Sequence, residues 1–354
     1  MKAKDSATRQ VPIAVTSPSA AVAPSAGRSG TLLAGLGVVA FSLTFPSTVW
    51  GLESFGPWSL VTLRSLLAAL IAGSVLLAGR VPVPDRRHRC GLAVVAGGVV
   101  VGFPLLTTLA LQTSTSSHAA VVVGLLPLTT AVLSSLRTGS RPPRTFWIAA
   151  LAGAAVVIVF TVQQSGGALS SGDLCLFGAL LVCAAGYTEG GRLAGVMPGW
   201  QVIGWALVLA TPLMVAGAAV ALSFEPVRLT AHGLIGLVWV AAGSTFVGLY
   251  VWYRGMAEIG VPRASQLQLA QPLLTLVWSF LLLGEKVSAA APVAAVAVLV
   301  CIAATQRAGA RRRGVSGVTH DGPDPRATAA STAPGSRPIR KESLVRPVRG
   351  RIRS

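Results

Sequence analysis

Few side chains in this chain could do chemistry, because ionisable residues are scarce within its long apolar stretches. Two positions interrupt those stretches: Arg64, and Glu189 with Arg192 three residues later. A guanidinium in such a place is suited to holding a carboxylate or a phosphate through paired hydrogen bonds. A carboxylate there is suited to binding and releasing a proton. Both are therefore candidates for binding a ligand or an ion.

Each candidate also has a purely structural interpretation. The long side chain of Arg64 could extend to the nearest polar interface, beside Glu53. Glu189 could form an ion pair with Arg192 on adjacent turns of one helix. The sequence leaves both pairs of interpretations open.

Amide and aromatic side chains form a third group of candidates. Gln268 and Gln271 share one helix face immediately before Pro272, and a proline frees a backbone carbonyl one turn earlier. This polar patch is suited to binding an amino, carboxylate or hydroxyl group, with Tyr250 as a further candidate for lining the same cavity. The alternative is hydrogen bonding between helices. His118 stands alone in the sequence, and we place it at an interface.

No catalytic or metal-binding pattern accompanies these residues. The sequence has no phosphate-binding loop, no nucleophile elbow and no cluster of His, Cys and carboxylate residues. Its four cysteines form no CxxC pair. We therefore expect no cofactor, no metal and no enzymatic activity.

The elements that must position these side chains are long apolar helices. Of the 354 residues, 53% are apolar and only 11% are charged, whereas about a quarter are charged in soluble proteins. A helix needs about 20 apolar residues to cross a bilayer. The ten predicted spans cover about 31–50, 58–78, 91–112, 117–136, 145–162, 173–193, 200–222, 233–253, 262–283 and 287–305. The predicted fold class is an all-α membrane protein with ten transmembrane helices, kinked at Pro46, Pro127 and Pro272.

The distribution of arginine predicts the orientation in the membrane. The loops after spans 2, 4, 6 and 8 contain ten arginines, whereas the opposite loops contain only Arg228 and Lys286 as basic residues. Basic loops stay in the cytoplasm, so we expect a multi-pass protein of the bacterial cytoplasmic membrane with both termini cytoplasmic. The net charge of +18 lies largely in the tails and these loops. This placement favours a bilayer, with anionic lipids as candidate partners of the C-terminal tail, over nucleic acid.

An internal repeat divides the chain. A shift of 145 residues places Pro127 on Pro272 and Gly139 on Gly284. Five spans per half give the halves opposite orientations, which is typical of carriers with a central binding site. The predicted organisation is a disordered tail (1–30), a first repeat (31–162), a second repeat (173–305) and a disordered basic tail (306–354). Ser140 stands where the second half has Glu285, and we expect Glu285 to be solvated.

One ordered set of residues resembles a known family. The set is Tyr250, Trp252, Tyr253, Ala264, Pro272 and the turn Gly284-Glu285-Lys286. In this order and spacing it resembles the second repeat of EamA-type transporters of the drug/metabolite transporter superfamily. The resemblance implies a secondary transporter that moves a small organic metabolite, such as an amino acid, by alternating access, with export as the expected direction. The alternatives are a multidrug exporter and a non-transporting membrane protein, such as an enzyme acting on lipid-linked substrates. A homodimer is left open.

Overall fold

The computed structural model describes residues 26–139, 142–259 and 267–318, and the regular structure in these ranges is helical. The helices are α1 (Ala26–Ser42), α2 (Thr44–Leu52), α3 (Pro57–Ala78), α4 (Arg89–Val95), α5 (Phe103–Ala110), α6 (Ser116–Val123), α7 (Leu126–Thr138), α8 (Arg144–Gln164), α9 (Ser171–Leu193), α10 (Gly199–Phe224), α11 (Ala231–Val238), α12 (Leu249–Ile259), α13 (Gln271–Leu283) and α14 (Ala290–Val318). Two π-helical segments, Ala96–Gly102 and Trp239–Gly248, join α4 to α5 and α11 to α12.

The predicted all-α membrane class is confirmed. Eight continuous or nearly continuous helical stretches are long and apolar enough to cross a bilayer. Two shorter apolar helices, Gln271–Leu283 and Ala290–Ala304, occupy the positions of predicted spans 9 and 10. Helices are favoured because hydrocarbon offers no partner to backbone N–H and C=O groups, which a helix satisfies internally.

Two helices extend beyond the predicted bounds of the repeats. Residues 26–30 belong to α1 and residues 306–318 belong to α14. The segment 306–313 is mostly alanine and arginine, which are strong helix formers and extend a helix past its apolar part. The basic tail beyond Val318, together with Ser140 and Ala264, lies outside the described residues.

The three proline positions coincide with interruptions of helices. Span 1 breaks between Ser42 and Thr44, just before Pro46. Pro127 and Pro272 are the second residues of α7 and α13, so that spans 4 and 9 also restart just before a proline. A proline is tolerated in the first turn of a helix because the N–H group it lacks would have no partner there.

The two halves repeat these local features. Under the 145-residue shift, α7 coincides with α13, and both helices end at a glycine in the left-handed conformation. These glycines are Gly139, with φ of 63°, and Gly284, with φ of 64°. The two π-helical segments also overlap under this shift. The halves therefore share helix breaks and turns as well as sequence.

Close contacts between small residues join one half to the other. A Cβ atom on Gly255 of α12 would lie 2.4 Å from the backbone nitrogen of Ala34 in α1. A Cβ atom on Gly98, in the first π-helical segment, would lie 2.3 Å from the carbonyl oxygen of Val182 in α9. Small residues let membrane helices approach closely. Span 1 thus packs on span 8, and span 6 packs on span 3.

The break in span 1 depends on a partner from the second half. Pro46 has no N–H group, so the carbonyl of Ser42 loses its usual partner within the helix. The hydroxyl of Thr275 in α13 donates to this carbonyl at 2.9 Å and also contacts the carbonyl of Gln271 at 3.0 Å. The indole of Trp278 donates to the Ser42 hydroxyl at 2.9 Å. Span 9 therefore supplies hydrogen-bond donors to the break in span 1.

This contact makes a quantitative prediction. Thr275→Val should lower the free energy of unfolding by about 1 kcal/mol, because it leaves the Ser42 carbonyl without a donor. In a Pro46→Ala background the loss should shrink, because the substitution restores a backbone N–H group that can bond to that carbonyl. Reversible unfolding of the four proteins of this double-mutant cycle in detergent would measure the coupling. Thr107→Val is the control, because Thr107 bonds to the carbonyls of Phe103 and Pro104 in its own helix. Equal losses in the two backgrounds would contradict the prediction.

Candidate functional site

Arg64 is a buried cation without a charged partner among the described residues. Its side chain belongs to α3 and the residue is 8% exposed. The guanidinium donates one hydrogen bond, 3.2 Å long, to the hydroxyl of Thr245. Among the described residues, no carboxylate lies within ion-pairing distance of it. Glu53, its partner in the structural interpretation, lies instead 3.7 Å from His232.

The surroundings of Arg64 come from both halves of the chain. Thr245 lies in the second π-helical segment and donates to the carbonyl of Val240, five residues earlier, at 2.7 Å. Ser65, next to Arg64, contacts the carbonyl of Val100 in the first π-helical segment at 3.4 Å. Segments of this kind are frequent at functional sites. Arg64 thus lies where span 2 meets the π-helical segments of spans 3 and 8.

A pair of hydroxyls extends this polar region to span 1. Thr44, the first residue after the break in span 1, lies 2.7 Å from the hydroxyl of Ser244. Ser244 precedes the threonine that receives the Arg64 hydrogen bond. One guanidinium with several hydroxyls nearby can bind a carboxylate, because it offers charge-assisted and neutral donors together.

The amide and aromatic candidates do not join this region. Gln268 and Gln271 are half-buried beside the break in span 9, and α13 packs on α1, α2 and α6. Tyr250 is 45% exposed, so its ring lies at the surface of the bundle. In the part of the chain that the structure describes, no hydrogen bond or ion pair connects any two of Arg64, Glu189, Tyr250, Gln268 and Gln271. A common site for them stays a prediction.

Glu189 lies between two arginines. Its carboxylate is 2% exposed, and one oxygen accepts hydrogen bonds from Arg192 at 2.8 and 2.5 Å. The other oxygen forms an ion pair with Arg137, which lies in the last turn of α7. A Cβ atom on Gly91 would lie 2.5 Å from Glu189 Oε1, so a larger residue there would displace the Glu189 carboxylate. The cluster connects span 4 to span 6. The sequence suggested the Arg192 contact but gave no signal for Arg137.

Two carboxylates cap helices of the other half. Glu285 accepts hydrogen bonds from the backbone N–H groups of Ser116 and Ser117, at 2.8 and 3.0 Å, and from the Ser117 hydroxyl at 2.5 Å. Glu225 accepts from the backbone N–H groups of Trp58 and Ser59, at 3.2 and 2.7 Å. The first N–H groups of a helix lack partners within it and attract negative charge. The expectation that Glu285 is merely solvated is wrong.

A buried contact between a histidine and an aspartate lies beside the Glu285 cap. His118 Nε2 lies 2.7 Å from Asp173 Oδ1, and the two residues are 7% and 0% exposed. The interfacial placement of His118 is therefore wrong. Asp173 is also the acidic residue of a capping box that starts at Ser170 and begins α9. No group of three or more metal-ligating side chains occurs among the described residues.

These features define a class of protein before any comparison. Long apolar helices in two matching halves, with ionisable side chains placed where the halves meet, are typical of a membrane carrier. The EamA-like transporter family matches residues 28–162 and 170–305, once in each half. The chain belongs to the EamA-like transporter family, and it is a transporter rather than an enzyme.

Two known proteins are similar to the chain. The "Uncharacterized transporter YdeK" of Bacillus subtilis (strain 168) is 42% identical over 275 residues, which cover 77% of this chain and 95% of the relative. A solved crystal structure superposes with a TM-score of 0.56 at 19% identity, over 78% of this chain and 98% of that one. The second similarity supports the fold alone.

The Glu285 cap can be tested by removing its charge. Glu285→Gln should lower the free energy of unfolding by about 1–2 kcal/mol, because charge-assisted hydrogen bonds to the start of α6 become neutral or are lost. Thermal or chemical unfolding in detergent is the measurement. Lys286→Gln is the matched control, because Lys286 is the exposed next residue. A loss no larger than that of the control would show that the cap contributes nothing to stability.

Proposed function

We propose that this transporter exports a small organic metabolite, an amino acid or a related compound, across the bacterial cytoplasmic membrane. The observation that carries the proposal is the buried guanidinium of Arg64, which has no carboxylate partner among the described residues. Burying an unpaired charge is costly. A ligand that brings a negative charge therefore stabilises the site. A carboxylate suits a guanidinium best, because the two planar groups can form parallel hydrogen bonds.

Alternating access is the proposed mechanism. Arg64 lies seven residues after the start of α3, about 10 Å along the helix at 1.5 Å per residue. The segments around it belong to spans 3 and 8, one from each half. A substrate bound there contacts both halves. Relative movement of the halves then opens the site to one side of the membrane at a time.

The proposed orientation follows from the charged loops. We call the end at which α3, α7 and α9 finish the arginine-rich end, and the end at which α3, α6 and α9 begin the arginine-poor end. The arginine-rich end and both termini are proposed to face the cytoplasm. Gln268 and Gln271 are proposed to contact the polar remainder of the substrate. Tyr250 is proposed to join them when the halves move.

The experiment that tests the site uses pairs of substrates differing in one charge. Purified protein in lipid vesicles is given radiolabelled amino acids and the matching amides, which lack the carboxylate, and counterflow is measured. Arg64→Gln should reduce uptake of the carboxylate compounds about tenfold or more, because a hydrogen-bonded charge pair is lost. Uptake of the amides should change much less. Arg64→Lys should be intermediate, because it keeps the charge but not the planar fork.

Arg228→Gln is the matched control for this experiment, because Arg228 is an exposed arginine in the loop before α11. It should leave both uptakes unchanged. Equal losses for carboxylates and amides in Arg64→Gln would assign Arg64 to the fold instead of the substrate. Transport of cationic drugs without transport of any amino acid would favour the multidrug exporter.

Glu189 remains the sequence-based candidate for carrying a coupling proton. The two arginines around it favour an ion pair, so we expect Glu189→Gln to keep a transport rate that depends on the proton gradient while losing stability. Uptake into vesicles with and without an imposed gradient is the measurement. Arg137→Gln is the control, because it weakens the cluster while the carboxylate stays. Loss of gradient dependence in Glu189→Gln alone would assign the proton to Glu189.

A further inference from the structure

A histidine and an aspartate form a buried titratable pair that the proposed substrate site does not use. His118 lies in α6 and Asp173 in α9, so the pair joins a helix of the first half to one of the second. Both residues are near the starts of their helices, at the arginine-poor end. Their side chains are 8% and 0% exposed, and 2.7 Å separates Nε2 from Oδ1.

The other contacts of Asp173 fix the direction of this hydrogen bond. Asp173 Oδ2 accepts from the Ser165 hydroxyl at 2.6 Å, and from the backbone N–H and the hydroxyl of Ser170 at 2.8 Å each. A carboxylate surrounded by donors is an ionised acceptor. When the ring carries a single hydrogen, His118 Nε2 therefore holds it and Nδ1 holds the lone pair.

The opposite ring nitrogen is available for a proton. His118 Nδ1 makes no hydrogen bond to another side chain or backbone group in the described ranges. A proton from water that adds to Nδ1 turns the neutral ring into an imidazolium beside the Asp173 carboxylate. The ring of Phe160 stacks on His118, with centroids 5.3 Å apart and planes 24° apart. An aromatic face also stabilises a cation.

The charged groups around the pair are few. Glu285 lies on the turn after α13 and caps the helix that carries His118, and Lys286 is exposed beside it. Glu53 follows α2 and lies near His232. The parts of α8 and α13 that pack on α6 carry no charged side chain among the described residues. Glu285 is therefore the one other titratable group that contacts α6 directly in the described structure.

We propose that His118 Nδ1 is a proton-binding site at the arginine-poor end, and that its imidazolium holds spans 4 and 6 together through Asp173. Protonation strengthens the contact because a hydrogen bond from a neutral ring to the Asp173 carboxylate becomes an ion pair. Low pH on that side therefore favours the closed arrangement. A pH dependence of transport through this contact rests on the proposed transport function. Proton binding and closure at this contact do not depend on that function.

The first experiment needs no substrate. Ala120, two residues after His118, is 3% exposed and packs in the same apolar cluster as Leu176 of α9. Ala120→Cys is introduced into a protein whose native cysteines are replaced. The new thiol should react with a bulky maleimide only when spans 4 and 6 separate. His118→Gln is the test variant, because the glutamine amide can still donate to Asp173 but cannot titrate.

The expected result is a pH-dependent ratio of labelling rates. At pH 5.5 the Ala120 cysteine should react about fivefold faster in His118→Gln than with His118 present, a coupling at the lower end of the usual range. At pH 8 the two rates should be equal. The ratio at each pH cancels the intrinsic reactivity of the thiol. His232→Gln, which removes a largely exposed histidine near the same end, should behave like the protein with native His232.

Three outcomes would overturn the proposal. A ratio that does not change with pH would show that the pair is structural. A labelling rate that no longer depends on pH in Glu285→Gln, but still slows at low pH in His118→Gln, would assign the proton to Glu285. Labelling that slows in His118→Gln at low pH would reverse the proposed sign. A vesicle assay then separates coupling from transport: His118→Gln should retain counterflow and lose the dependence of its rate on external pH.

Discussion

The structure depends on one constraint: a polar group in a bilayer must find its partner inside the protein. A continuous helix meets this requirement for its middle but not for its ends or its breaks. In this chain several of the missing partners come from the opposite half. The Ser42 carbonyl has no donor within its helix because of Pro46, and it accepts a hydrogen bond from the hydroxyl of Thr275. The N–H groups at the start of α6, which have no partner within the helix, donate to the carboxylate of Glu285.

This constraint concentrates carboxylates at one end of the bundle. Three contacts connect the two halves there. Glu225 and Glu285 cap the starts of α3 and α6, and Asp173, in the first turn of α9, contacts His118. At the other end, Glu189 connects spans 4 and 6 with Arg137. A carrier that exposes its site to alternate sides must loosen such contacts at one end while keeping them at the other. The polar contacts that complete the fold are therefore the ones that the proposed alternating-access cycle would break and form again.

Arg64 departs from this pattern. Every carboxylate just named is neutralised or hydrogen-bonded by groups of the protein, whereas within the described ranges the buried guanidinium hydrogen-bonds to one neutral partner, Thr245. It contacts the π-helical segment of the second half through Thr245, and its neighbour Ser65 contacts the π-helical segment of the first half. A buried charge with incomplete pairing supports the proposed binding site, because a ligand of opposite charge completes the pairing there.

The sequence by itself determined the class of fold. The length and apolar character of the runs require helices. The breaks near Pro46, Pro127 and Pro272 were predictable because the missing N–H group of a proline affects the helix within one turn. The 145-residue repeat predicted matching turns, and Gly139 and Gly284 have nearly the same backbone conformation. The sequence also singled out Arg64 and Glu189, since a charge in an apolar run is visible without any knowledge of packing.

The tertiary structure alone decided the partners. The pairs His118–Asp173 and Arg137–Glu189 are separated by about 50 residues, and the Glu285 cap by 169. Neither helical periodicity nor propensity carries information over such distances, because contacts between helices depend on how the spans pack. For the same reason the sequence placed His118 at an interface and Glu285 in solvent, whereas packing places both against helices of the opposite half.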